Sequence, residues 1–102
     1  MSEKLALNPW HPMTDPVSLK HLGKLGEESG ELSSVVSRCI IQGIDEKEPT
    51  TGKENRDWLE DEIADVLANI LLVVKHFKLD DEKIAKRSTM KREHLSAWHE
   101  MA

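Results

Sequence analysis

The chain has 102 residues, a formal net charge of -5 and 32% charged side chains, which fits one domain with a modest core. Its acidic balance argues against affinity for a nucleic acid polymer, whose phosphates want Lys and Arg. The single cysteine, Cys39, excludes an intramolecular disulfide, and the longest apolar run, Ile70 to Val74, is too short to span a bilayer.

Residues 1–14 read as an irregular arm, with Pro9 and Pro12 bracketing Trp10 and His11. Met1 to Ala6 carries Glu3 and Lys4, unlike a signal peptide, so a soluble cytoplasmic protein without a membrane partner is expected. The folded domain is expected over 15–102. Asp15-Pro16 has the pattern of an N-cap followed by proline at the first helical position.

A first helix is predicted over 16–41. Leu22, Leu25, Leu32 and Val36 recur at helical spacing, with Ser29 in the same stripe. Glu28 falls at the edge of this stripe, Glu31 a little further round, and Glu27 points further away. Gly26 and Gly30 weaken a helix by about 1 kcal/mol each, which predicts close approach of another helix or a ligand. Gly43 suits a C-cap. A polar loop follows over 43–54, in which Thr51 and Glu54 have capping-box spacing and Asn55 is a second candidate cap.

The second helix is predicted over 55–78. Leu59, Ile63, Val66, Leu67, Ile70, Val74 and Phe77 share a broad apolar face, edged by Glu62, Asp65 and Asn69. Ile70 to Val74 is apolar on every side, and a helix of that kind is covered on several sides. Three helices cannot cover it, so a homodimer or a tetramer made of two dimers is expected. Asp80-Asp81 opens a third helix running towards His99, with Ile84, Leu95 and Trp98 on a thin apolar face. Lys83, Arg87 and Lys91, spaced by four, lie along one flank of it. No strand-like alternation or internal repeat is present, and the class is all-α.

The chemistry lies in two acid pairs, Glu28 with Glu31 and Glu62 with Asp65. Acids three apart on a helix share a face. Two such faces packed together bring four carboxylates into one small volume. Two unit charges ~4 Å apart repel by roughly 4 kcal/mol at an effective dielectric of about 20. A bound divalent cation is the simplest reason to hold them together, and an all-oxygen shell suits magnesium, or manganese in its place, rather than zinc. A metal together with the basic row of the third helix would suit a polyphosphate, whose phosphorus an oriented water could attack. Asn69, one turn after Asp65, reads as a contact to substrate or to a metal ligand, with a capped polar edge as the plainer alternative. No P-loop, nucleophile elbow or paired-cysteine motif competes. The five histidines share no metal-ligand spacing; Trp10, Trp58 and Trp98 read as packing or interface residues, and Cys39 as a buried small apolar residue.

The segments Leu25-Gly26-Glu27-Glu28-Ser29-Gly30-Glu31-Leu32 and Leu59-Glu60-Asp61-Glu62-Ile63-Ala64-Asp65-Val66-Leu67 resemble the two signature segments of the MazG-like all-α nucleoside triphosphate pyrophosphohydrolases. That family's pattern is Glu-Glu-x-x-Glu followed by Glu-x-x-Asp, and the likeness covers roughly residues 20–75. The resemblance implies a four-helix-type bundle completed by oligomerisation. It also implies magnesium-dependent hydrolysis of a (deoxy)nucleoside triphosphate between the α and β phosphates, giving a monophosphate and pyrophosphate. Glu28, Glu31, Glu62 and Asp65 would be its metal ligands, Glu31 and Glu27 the catalytic acids, with Glu27 orienting water. The substrate contacts Lys83, Arg87, Lys91 and Asn69 come from the residues' own placement and not from the resemblance: the family often has an Asn near a Lys on its last helix, where this chain has Thr89 near Lys91.

Two other readings stand beside this one. The first is a non-catalytic helical interaction module that uses the apolar Ile70 to Val74 segment. The second, within the enzyme reading, is a phosphoribosyl-ATP pyrophosphohydrolase. A di-iron carboxylate bundle is disfavoured, because no Glu has a His three residues on.

Overall fold

The structure, a computed structural model, describes residues 9–101. The arm assigned to 1–14 lies partly outside this range, and its described part, 9–14, holds neither helix nor strand. Three helices follow: α1 (Pro16–Gln42), α2 (Asn55–His76) and α3 (Asp81–Met101). The all-α class is thus as expected, and no strand occurs among the described residues. None of the helices is long and apolar enough to cross a membrane.

Helix α1 begins as its sequence dictates. The Asp15 carboxylate accepts from the Ser18 backbone N–H at 3.0 Å and from the Ser18 hydroxyl at 2.7 Å. Pro16 takes the first helical turn, where its missing N–H costs nothing. At the far end Gly43 has φ 107°, a backbone setting that disfavours any side chain, and its N–H reaches the Cys39 carbonyl at 2.9 Å.

The loop closes differently from the capping box expected of Thr51 and Glu54. Glu54 is the N-cap of α2 and makes no side-chain cap bond. Thr51 turns to Glu48, whose carboxylate accepts from the Thr50 and Thr51 N–H groups at 3.1 and 2.7 Å and from the Thr51 hydroxyl at 2.8 Å. Asn55 is no cap either. It is fully buried, and its Nδ2 donates to Gln42 Oε1 and the Gly43 carbonyl at 3.1 and 3.0 Å, tying the end of α1 to the start of α2.

Those three bonds favour the ionised Glu48 carboxyl and hold it down at about 2, with the Thr50 N–H the largest cause. A depressed acid gives stability that is present above its unfolded pKa of 4.5 and lost as pH falls through about 2. Glu48→Gln is therefore expected to unfold more readily than the parent at pH 7. The gap should close as the pH of a urea titration is lowered to 2. A gap independent of pH would contradict this assignment.

Helices α1 and α2 pack antiparallel, because Ser18 at one end meets His76 and Gln42 at the other meets Asn55. The seam follows a rule that the apolar residues alone do not show. On α1 the covered positions include Ser18, Glu28 and Val35, and on α2 Asn55 and Val73. Val35, rather than the expected Val36, faces the partner helix; Val36 is exposed. Glu28 sits on the seam itself, not at its edge, and is only 7% exposed. A Cβ added at Gly26 or Gly30 would meet nothing within 4 Å, so the close approach expected at these glycines does not occur within the chain.

Helix α2 ends at His76, two residues before the predicted end, where Lys78 turns the chain at φ 52°. Asp80 then caps α3 by accepting from the Lys83 N–H at 3.0 Å. Helix α3 does not fold back on the hairpin: every residue from Asp81 to Glu100 is exposed, including Leu95 and Trp98. The radius of gyration is 19.1 Å, against about 13 Å for a compact domain of this length. Val35 and Val73 are the buried apolar residues among those described, each contributing roughly 1.5–3 kcal/mol. That is a small core for 102 residues. Within the predicted all-round apolar segment Val73 is buried, Ile70 and Val74 are half-buried, and Leu71 and Leu72 face outward.

Candidate functional site

The antiparallel hairpin brings the two acidic motifs to the same level. Glu28, Glu62 and Asp65 each offer a carboxylate oxygen, and these oxygens all lie within 4.8 Å of one another. Glu28 is buried, Glu62 half-buried and Asp65 exposed, so the group opens from the seam to solvent. Oε2 of Glu28 and Oε2 of Glu62 are both covered and have no hydrogen-bond partner. A buried carboxylate oxygen without a donor carries its full desolvation penalty. A hard divalent cation would supply what both lack, and the oxygen-only donor set fits magnesium or manganese.

Glu31 stands beside this group rather than in it. The neighbouring Glu28 carboxylate raises the Glu31 carboxyl above its ordinary value, first by charge repulsion and then by a hydrogen bond, with smaller help from Glu62 and Glu27. Glu27 points away, as expected, into an ion pair with Lys24 at 3.3 Å. The same ammonium reaches Glu28 Oε1 at 3.2 Å, and Glu28 is the largest cause of the raised Lys24 pKa. Lys24 therefore partly neutralises the cluster from its outer side. It is a partner not foreseen from the motifs, though its place four residues before Glu28 was readable.

The other expected site residues are dispersed. Asn69 is half-buried one turn after Asp65, and its Nδ2 donates to the Asp65 carbonyl at 2.8 Å. Lys83, Arg87 and Lys91 lie on the exposed α3. Lys83 and Arg87 line a hollow of about 280 Å³ with Leu79, Asp80 and Ile84, and no carboxylate of the cluster lines it. Within one chain, the basic row and the acids do not share a cavity. Helix α3 adjoins α2 near its start instead, where Ile84 and Ala85 line a hollow with Ile70, Leu71 and Val74.

The cavity beside the acids is lined instead by Glu31, Ser34, Val35, Arg38, Trp58 and Glu62, and has a volume of about 160 Å³. Arg38 Cζ lies 5.7 Å from the centre of the Trp58 ring, and Lys53 Nζ lies 4.3 Å from it. Trp58 thus packs under two cations rather than in an apolar core. At the opposite end of the hairpin the His21 and His76 rings stack at 4.3 Å, and His76 Nε2 is 2.8 Å from the Ser18 hydroxyl.

These polar groups recur along the seam at a readable spacing. Asn55, Glu62, Asn69 and His76 are seven apart on α2, interleaved with Leu59, Val66 and Val73. That heptad of polar residues was the available signal that Glu62 faces α1. Comparisons of the chain with protein-family models, curated proteins and solved structures gave no match.

Proposed function

We propose that the protein is a magnesium-dependent nucleotide pyrophosphohydrolase of MazG-like type, cleaving a (deoxy)nucleoside triphosphate between the α and β phosphates. The observation that carries this reading is the convergence of Glu28, Glu62 and Asp65, with two carboxylate oxygens covered and unpaired. An interaction module whose acids were only surface charge would leave Glu28 and Glu62 in solvent, whereas Glu28 is buried. Glu28, Glu62 and Asp65 would hold the metal with Glu31 beside them. The bound ion would set positive charge against the phosphate oxygens.

The chain's own residues place water and receive its proton. The water oxygen bonds to the α phosphorus. The bond from that phosphorus to the α–β bridging oxygen breaks, and its electron pair leaves on pyrophosphate. The water proton passes to a carboxylate and then to solvent. Glu31 suits that role, since it stands beside the three-acid group with its side chain open to solvent. Glu27, in place of the direct contact with water that the resemblance implies, would hold Lys24 against Glu28. A panel of nucleoside triphosphates, with pyrophosphate and phosphate detected separately, tests the reading. Phosphate as first product, with a diphosphate left behind, would overturn it.

The same reading includes assembly. Leu71 is 69% exposed, Leu72 51% and Trp98 63%, and α3 is exposed along its length. A second copy laid on α2 and α3 would bury this apolar surface and bring a basic row towards an acidic cluster. At least a dimer is expected by light scattering at micromolar concentration. A monomeric mass there would refute it.

A further inference from the structure

The cavity beside the acid cluster holds unpaired groups of both signs. Glu62 contributes a carboxylate with a covered, unpartnered oxygen, and the nine-tenths buried Glu28 adjoins it with another. Arg38, half-buried in the same cavity, makes no ion pair among the described residues, although Glu31 and Glu62 line that cavity with it. The Trp58 Nε1–H is also covered and has no acceptor. Two lone carboxylate oxygens call for a cation. A guanidinium with no carboxylate partner, held in place over an aromatic ring, calls for an anion. The pair of requirements is met by a cation that carries its own anion.

We infer that Arg38, seated on Trp58, binds the phosphate oxygens of a metal-bound diphosphate group in this cavity. The assignment rests on the nucleotide reading above and moves the phosphate contact from α3 to α1. Size supports the class of ligand. About 160 Å³ is below the roughly 300–1,000 Å³ that encloses a drug-sized molecule, so the cavity takes a small anion and not a base with its sugar. Geometry supports it too. The guanidinium offers a planar fork of donors that matches two phosphate oxygens, and the Trp58 ring restricts the side chain before the ligand arrives.

The test is titration calorimetry of inorganic pyrophosphate with saturating magnesium, on the full chain. Arg38→Ala and Arg38→Gln are each expected to weaken binding at least tenfold; Gln keeps part of the stem over Trp58 but drops the charge. Arg38→Lys should recover part of the loss. Helical circular dichroism and the melting-temperature rise caused by magnesium alone should match the parent in all three, which a merely structural role for Arg38 would not give. Pyrophosphate affinity within twofold of the parent in either folded Ala or Gln variant overturns the assignment and leaves the hydrolysis reading standing. Loss of binding in Lys91→Ala with none in Arg38→Ala overturns it in favour of α3. A parent that neither binds pyrophosphate nor cleaves nucleotide overturns both.

Discussion

Asp65→Ala is expected to lower nucleotide turnover by at least a hundredfold while leaving the far-ultraviolet circular dichroism unchanged. Asp65 is exposed, so truncating it removes little packing, and its stability cost should stay within about 0.5 kcal/mol. Its carboxylate nonetheless lies within 4.8 Å of those of Glu28 and Glu62. Losing it would remove a ligand and leave the two covered oxygens to hold the ion alone. Glu31→Ala should lose turnover as severely, through a different route. The metal should still bind, because Glu31 is outside the three-acid group, but the carboxylate proposed to receive the proton would be gone. Steady-state kinetics alongside magnesium titration of both variants checks this. Near-parental turnover in either would remove that residue from the mechanism.

Magnesium at a hundred times its dissociation constant is expected to stabilise the protein by about 2.7 kcal/mol, since it binds only the folded state. For a domain of this size that corresponds to a rise of about 10 °C in melting temperature or more. Glu62→Gln should respond in two opposite ways. Without metal it should melt higher than the parent, because one of three converging charges is gone and the amide can donate to a neighbouring carboxylate. With magnesium it should gain almost nothing, because a ligand has been removed. The crossing of the two curves is the diagnostic result. An equal magnesium response in parent and variant would count against the site.

The same hairpin shows how far residue patterns reach. Helix ends were readable wherever a local side chain makes the cap: Asp15 with Pro16, Gly43 and Asp80 all behave as their chemistry requires. The loop was less readable. Glu48 competes for Thr51 and leaves Glu54 to open α2 without a side-chain bond. The acid pairs were legible as pairs, because a spacing of three on a helix puts two side chains on one face. Their meeting was not. It depends on the register in which two antiparallel helices pack, and the polar residues of the seam adjust that register: Gln42 against Asn55 at one end, Ser18 against His76 at the other.

What the sequence determined alone is therefore the local part: three helices, the caps of α1 and α3, two acidic faces and a basic row, each set by backbone geometry within one or two turns. Tertiary structure decided the rest. It placed Glu28 on the buried seam, because choosing Val35 over Val36 as the packed valine rotates the face that α1 presents to α2. It brought Arg38, two turns after Glu31 on α1, and Trp58, one turn before Glu62 on α2, together across the seam in one cavity. It also left Lys83, Arg87 and Lys91 outside the cavity beside the acids, on a helix whose residues from Asp81 to Glu100 are all exposed. Periodicity reports which side of a helix is apolar. It does not report which neighbour covers that side, since that follows from the joint packing of residues distant in the chain.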